Sequence, residues 1–384
     1  MEIVSSLWHV VSAFLIFLLG CVLVVFFGGK FGVGKVRCFF IYLWHTMFSF
    51  IYLWYALSFG ADAIFYFNSG SVDGGEVRFG TAGVSFLTAF LVQGLGVSIL
   101  GAFLAYNVFG SIGLVAVDGS LRVAVQGTRP FFRALATLIV FLPSISFWSS
   151  AIGKDSISFM ATGIALWAAL DLGKRGLLMG FAILMMLIVR PHMAGLMVLG
   201  LAFSVVFSTY MSPSRRLLYG VIAISVSAIL VPFALRYAGV GDSLTIESIS
   251  EYIEDRQIHN LEGGGAVDIA TMSMPMKLFT YMFRPVFFEV DSVFSLAAAM
   301  DNAILFYLFI AGGWALLRYR TQGYGNRVFM WAYALMAWGV LAMTTANLGI
   351  ALRQKWMFAP MLIFLLISVV GKKRGTLSST GRRE

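Results

Sequence analysis

Five short stretches of this chain gather cations and carboxylates of the kind that act on an anionic substrate. GKDS carries Lys154 and Asp155, VRPH carries Arg190 and His192, FRPVFFEVD carries Arg284, Glu289 and Asp291, and LRQKW carries Arg353 and Lys355. Asp62 stands in GADAIFYF. Arginine offers a planar fork of donors to phosphate oxygens, and lysine adds a mobile charge. A carboxylate or neutral imidazole nearby can take a proton from an attacking hydroxyl. Cations fixed beside a departing phosphate stabilise the charge that grows as its bond breaks. Lys154, Arg190, Arg284, Arg353 and Lys355 are thus the expected substrate-binding cations. Asp62, Asp155, Glu289 and His192 are the expected catalytic groups, and the sequence does not rank the carboxylates.

Each has a plainer role open to it. Lys154–Asp155 reads as a solvated turn and Arg190 as a snorkelling helix end. His192 reads as a packed polar residue, Arg284 with Glu289 as an ion pair steadying a loop, Arg353 and Lys355 as headgroup anchors, and Asp62 as a helix-end cap. The functional reading rests on convergence of the five stretches.

The elements that position these residues are membrane helices. The chain has 384 residues, 60% hydrophobic and 12% charged, with a mean hydropathy of +0.89. Apolar runs of about 20 residues recur, each long enough to cross about 30 Å of hydrocarbon. The net charge of +9 follows from orientation rather than nucleic-acid binding, because Lys and Arg cluster in alternate loops. Those clusters are Lys30/Lys35/Arg37, Arg122/Arg129/Arg133, Lys174/Arg175, Arg215/Arg216, Arg318/Arg320/Arg327 and Lys372/Lys373/Arg374 with Arg382/Arg383. They hold 18 of the 27 basic residues, and most acids lie in the other loops.

Placing the clusters inside predicts an all-α polytopic protein of about eleven spans, N-terminus outside and C-terminus inside. The spans fall at 8–28, 38–59, 98–118, 131–149, 156–173, 176–190, 193–211, 216–236, 293–317, 328–346 and 355–371. Residues 81–97 read as a re-entrant or interfacial helix, or an extra span. The first run lacks a basic leader and a small-residue cleavage site, so it is expected to remain as a helix. Residues 1–371 form one membrane domain and 372–384 a basic tail, expected to be disordered. The outer loop 60–80 carries Asp62, Asp73, Glu76 and Arg78. The longer loop 237–290 holds Leu244, Ile246, Ile249, Ile253 and Ile258 near helical spacing, with Asp242 as N-cap. It predicts an amphipathic helix on the membrane surface or over a cavity. Cys21 and Cys38 read as small apolar residues, and His9 and His45 as packing residues. The acids from Asp242 to Asp268 match no EF-hand spacing, and neither a metal nor a cofactor is expected.

The ordered motifs LPSISFWSSAIGKDS, IVRPH, FRPVFFE and NLGIALRQKWMFAP, from about Asp62 to Pro360, carry a resemblance. The chain resembles Wzy-type O-antigen and exopolysaccharide polymerases and, more distantly, lipid-dependent GT-C glycosyltransferases. The resemblance implies a multi-pass protein of the bacterial inner membrane. It would join polyprenyl-diphosphate-linked glycan repeat units at the periplasmic face, among membrane lipids and with a flippase and chain-length regulator as pathway partners. It also implies roles for outer-loop arginines, here Arg190 and Arg284, and for Asp62 as base. Two departures stand: Arg190 precedes Gly200 by one residue too few for the RX10G pattern, and the usual GT-C pair of acids is missing. A glycan flippase and a glycan-modifying acyltransferase are the competing readings. Span interiors read as nearly free of ionisable groups apart from His45, which disfavours transport. His192 is the residue an acyltransferase would need.

Overall fold

In the computed structural model, residues 2–72, 79–207, 213–238, 246–260, 265–318 and 325–370 are described. Among them every regular element is a helix, apart from an isolated bridge between Ala266 and Asn347. Asp73, Glu76, Arg78, Asp242, Leu244, Arg320 and the basic tail lie outside the described residues.

Helix α1 (Leu7–Lys30) starts where the Ser6 side chain accepts from the His9 amide, and α2 (Lys35–Phe59) returns beside it. Both show large apolar side chains to the outside, among them Phe14, Val22, Phe40 and Trp54, as helices in lipid do. Next come α3 (Asp62–Val72) and α4 (Thr81–Ala89), the latter prolonged by a π-helical turn at Phe90–Gly94. They pair closely, with Gln93 Nε2 donating to Gly70 O at 2.7 Å. The expected segment at 81–97 is therefore a helical stretch, Thr81–Gly94, shorter than a span.

The centre is built from α5 (Ile99–Ala124) and α8 (Lys154–Ala169), connected through α6 (Pro130–Val140) and α7 (Pro143–Ser149). Pro143 breaks the run 131–149 because its ring cannot accommodate an uninterrupted helix. The return through α6 and α7 leaves α5 and α8 running the same way, and they touch backbone to backbone. A Cβ on Gly113 would sit 2.7 Å from Met160 Cα, and one on Gly163 would sit 2.4 Å from Gly113 O. From Ser156 to Ala169 every residue of α8 is buried.

Around this centre stand α9 (Leu172–Val189), α10 (Pro191–Val206) and α11 (Pro213–Ala238). They are followed by α12 (Ile246–Asn260), α13 (Met274–Phe283), α14 (Val293–Arg318) and α15 (Arg327–Thr344). Helix α16 (Leu348–Gln354) passes through a 3-10 turn at Lys355–Met357 into α17 (Ala359–Ile367), with a bend of 63°. Thr162 and Tyr333 both donate to the Met357 carbonyl at this bend, at 2.6 and 2.8 Å, tying α8 and α15 to it.

Among the described residues seven helical segments are long and apolar enough to cross a membrane, with α6 and α7 taken together as Pro130–Ser149, and eight if the bent α16–α17 pair counts as one span. This is the build of a helical membrane protein. Eleven were expected; among the described residues Pro191–Val206 is apolar but short of a span. Helix α8 has only 16 residues and is enclosed by protein.

Charged side chains gather at two ends of the bundle. Arg37, Arg122, Arg133 and the Trp167 end of α8 meet at one, and Lys154, Asp155, Arg190 and Arg353 meet at the other.

Candidate functional site

Gly153 leads into α8, whose first two residues are Lys154 and Asp155. Arg190 lies between α9 and α10 with φ −145°, outside helical geometry, because Pro191 disfavours a helical residue before it. Asp62 opens α3. Arg353 lies on α16, whose N-cap Asn347 accepts from the amides of Gly349 and Ile350. Four separate elements thus deliver charges to one place.

Those charges form a chain of ion pairs. Arg190 Nη2 donates to Asp155 Oδ1 at 2.5 Å. The other Asp155 oxygen lies 3.3 Å from Arg353 Nε, and Arg353 Nη1 donates to Asp62 Oδ2 at 2.7 Å. Arg190 is buried, whereas the Asp62 side chain is 59% exposed. The order Arg190–Asp155–Arg353–Asp62 runs from interior to surface.

This chain lines a cavity of about 530 Å³, which also takes in Lys154 and His192. Tyr52, Tyr66, Trp148 and Tyr252 supply aromatic walls, and Arg256 a further cation. Lys154, Arg190, Arg256 and Arg353 outnumber Asp62 and Asp155, so the lining favours an anion. Arg190 Nε is buried without a protein acceptor, and Arg353 Nε has none in hydrogen-bond geometry. Burial, with Arg190 nearby, pushes the Lys154 amine down to about 8. Burial and the surrounding cations push His192 down to about 3, so its ring is neutral at physiological pH. The arrangement can bind an anion through guanidinium and ammonium groups while offering a carboxylate and a neutral imidazole as proton acceptors.

Six of the nine residues expected from sequence line this cavity: Asp62, Lys154, Asp155, Arg190, His192 and Arg353. The other three lie elsewhere. Arg284 and Glu289 pair with each other, Nε to Oε1 at 2.7 Å, and Glu289 also accepts from the Val286 amide at 2.9 Å. Partial burial raises the Glu289 carboxyl, but these donors outweigh it and hold the group below its ordinary range. Lys355 is fully buried and hydrogen-bonds Asn302 Oδ1. Asn302 in turn donates to the Pro285 carbonyl at 3.0 Å.

The structure adds groups for which the sequence suggests no part in a polar site. Tyr252 and Arg256 come from α12, so the expected amphipathic helix contributes to a cavity wall. Deeper, His45 Nε2 lies 2.9 Å from Ser149 Oγ and His45 Nδ1 lies 2.5 Å from Asn107 Oδ1. His45 therefore belongs to a buried polar network rather than to apolar packing alone. Asp301, fully buried on α14, accepts from the Ser144 amide at 2.9 Å and keeps Oδ1 unpartnered. Asp301 and Lys355 correct the reading that helix interiors hold almost no ionisable group besides His45. The signal was present in AAAMDNAIL, where an acid and an amide interrupt an apolar run.

No protein-family model, curated protein or solved structure matches the chain.

Proposed function

We propose that the chain is a membrane glycosyltransferase of the polysaccharide-polymerase kind. It joins polyprenyl-diphosphate-linked oligosaccharide repeat units into surface polysaccharide at the periplasmic face of a bacterial inner membrane. The observation that carries this reading is the Arg190–Asp155–Arg353–Asp62 chain of ion pairs, set in a cation-rich cavity at one end of an apolar bundle. A lipid-linked diphosphate needs that combination: hydrocarbon for its tail and fixed donors at the helix ends for its anion.

In this reading Lys154 and the free Nε of Arg190 receive the diphosphate. Asp155 is a positioning residue, since each of its oxygens faces a guanidinium and holds it in place. The acceptor hydroxyl attacks the anomeric carbon, and the bond from that carbon to the diphosphate oxygen breaks. The electron pair leaves with the diphosphate, whose growing charge the cations stabilise. Asp62, with one ion-pair partner and an exposed side chain, is the carboxylate best placed to take the acceptor proton. His192 is the neutral alternative in the same cavity. Glu289 and Arg284, bonded to each other outside the lining, take no part in the step.

A second reading, a flippase for the same lipid-linked glycans, is favoured by one observation. Asp301 and Lys355 are buried at helix depth, and Lys355 lies in the turn of a broken helix, a setting common at transport sites.

Deleting the gene and measuring surface glycan separates the two. Loss of the polymerase leaves single repeat units on the lipid carrier and removes long chains. Accumulation of the lipid-linked unit on the cytoplasmic leaflet assigns the flippase instead, and normal chains sink both readings.

A further inference from the structure

The end of the bundle opposite Asp155 holds a second cavity, of about 500 Å³, in which Arg37, Arg122 and Arg133 converge. Arg37 is fixed there. Its Nε and Nη2 donate to the two oxygens of Asp118 at 2.9 and 2.6 Å, and Nη2 also reaches Thr137 Oγ1 at 3.2 Å. Asp118 is 1% exposed. Orientation in the membrane requires only the number of basic residues in a loop. It does not require a carboxylate to be buried, which is costly, in order to set one arginine in one direction. Arg122 and Arg133 are exposed, and among the described residues neither makes an ion pair with a carboxylate. One wall of the cavity is Phe31 packed edge-on against Trp167 at 5.7 Å.

A shallow groove adjoins this cavity and shares Arg37 and Arg122 with it. Its remaining walls include Val36, Phe40 and Phe141. Val36 and Phe40 are 71% and 59% exposed, on the outward face of a helix long and apolar enough to span a membrane. A cationic chamber opening onto an outward apolar groove matches a molecule with an anionic phosphate at one end and hydrocarbon at the other. We infer that the Arg37/Arg122/Arg133 cavity binds the phosphate headgroup of an anionic membrane lipid, whose acyl chain lies along Phe40 and Phe141. The site is remote from the Asp155 cavity and goes beyond the transfer reaction proposed for it.

The test uses the full chain purified in detergent and stripped of lipid. Dioctanoyl phosphatidylglycerol, dioctanoyl phosphatidylcholine and glycerol 1-phosphate are titrated separately. Occupancy is read by native mass spectrometry and by the shift in thermal midpoint. The wild type should bind the glycerol lipid saturably and the choline lipid weakly. Arg122→Gln with Arg133→Gln should lose at least about tenfold in affinity, because two charges facing the anionic headgroup are gone. Arg122→Lys with Arg133→Lys preserves the charge that orients the chain and should lose less, since only the planar forks disappear. Both side chains are exposed, so the ligand-free midpoint should be unchanged in each variant. Equal affinity of the wild type and the Gln variant for the glycerol lipid would overturn the assignment. So would equal binding of the two lipids. Binding of glycerol 1-phosphate as tight as that of the lipid would assign a soluble phosphate ligand and overturn the acyl groove.

Discussion

Arg353 donates to Asp62 at 2.7 Å across 291 residues of sequence, joining the first helix after the opening pair to the broken helix near the other terminus. Asp62→Asn keeps the shape of that contact and removes its charge. Turnover of a lipid-linked repeat unit should fall by about 10² to 10⁴, the usual contribution of a general base. The thermal midpoint should barely move, because a half-exposed ion pair contributes about 1 kcal/mol or less. Unchanged turnover would remove Asp62 from the mechanism.

Asp155 behaves differently because two guanidiniums depend on it. Asp155→Asn should destabilise the fold by about 3 kcal/mol, since it leaves the buried Arg190 without its counter-charge. Unfolding in detergent measures this. A midpoint equal to wild type would show that Arg190 is held by something else.

Substrate affinity should depend on pH through Lys154, whose amine is pushed down to about 8. It is charged below that value and neutral above it. Binding of a lipid-linked diphosphate should therefore be strongest below pH 8 and weaken as pH rises through 8. Lys154→Arg keeps the charge and should flatten this fall. The His192 ring, pushed down to about 3, is neutral throughout and should add no inflection near pH 6.5.

Arg190 and Arg284 should separate in chain-length analysis. Arg190 lines the cavity, so Arg190→Ala should abolish long glycans. Arg284 pairs with Glu289 outside it, so Arg284→Ala should cost about 1 kcal/mol of stability and leave chain length intact. Equal loss of chains in both variants would move the substrate site toward α13.

Lys355 is fully buried with Asn302 as its hydrogen-bond partner. Asn302→Ala should destabilise by about 2 to 3 kcal/mol, because a buried ammonium loses its acceptor. Lys355→Met, similar in length and uncharged, should be tolerated better. Comparing the two midpoints tests this order, and a greater loss in Lys355→Met would contradict it.

Much of the site was legible because charge is conspicuous in an apolar chain. Lys154, Asp155, Arg190 and Arg353 interrupt long hydrophobic runs at their ends, and helices running back and forth bring those ends together. Lys355 misled for a geometric reason. Residues two apart on a helix point to nearly opposite faces, so Arg353 meets the cavity while Lys355 turns into the core. His45 reads from sequence as a packing residue, and its network with Asn107 and Ser149 is not legible there, because each is one polar residue in its own helix and only tertiary packing aligns them. Breaks inside apolar runs are harder to read: Pro143 divides Pro130–Ser149, and a 63° bend precedes α17, yet each run keeps the length of a single span.

The enclosure of α8 has a consequence for how this protein is made. Its 16 residues extend about 24 Å at 1.5 Å per residue, short of a bilayer's hydrocarbon. They open with Lys154 and Asp155 and include Ser156, Ser158 and Thr162. Such a segment partitions poorly into lipid by itself. Its stable home is the sleeve formed by its neighbours, with Gly113 and Gly163 in direct backbone contact. Biogenesis must therefore shelter this helix until the segments made after it, Tyr333 and Met357 included, have arrived to close around it.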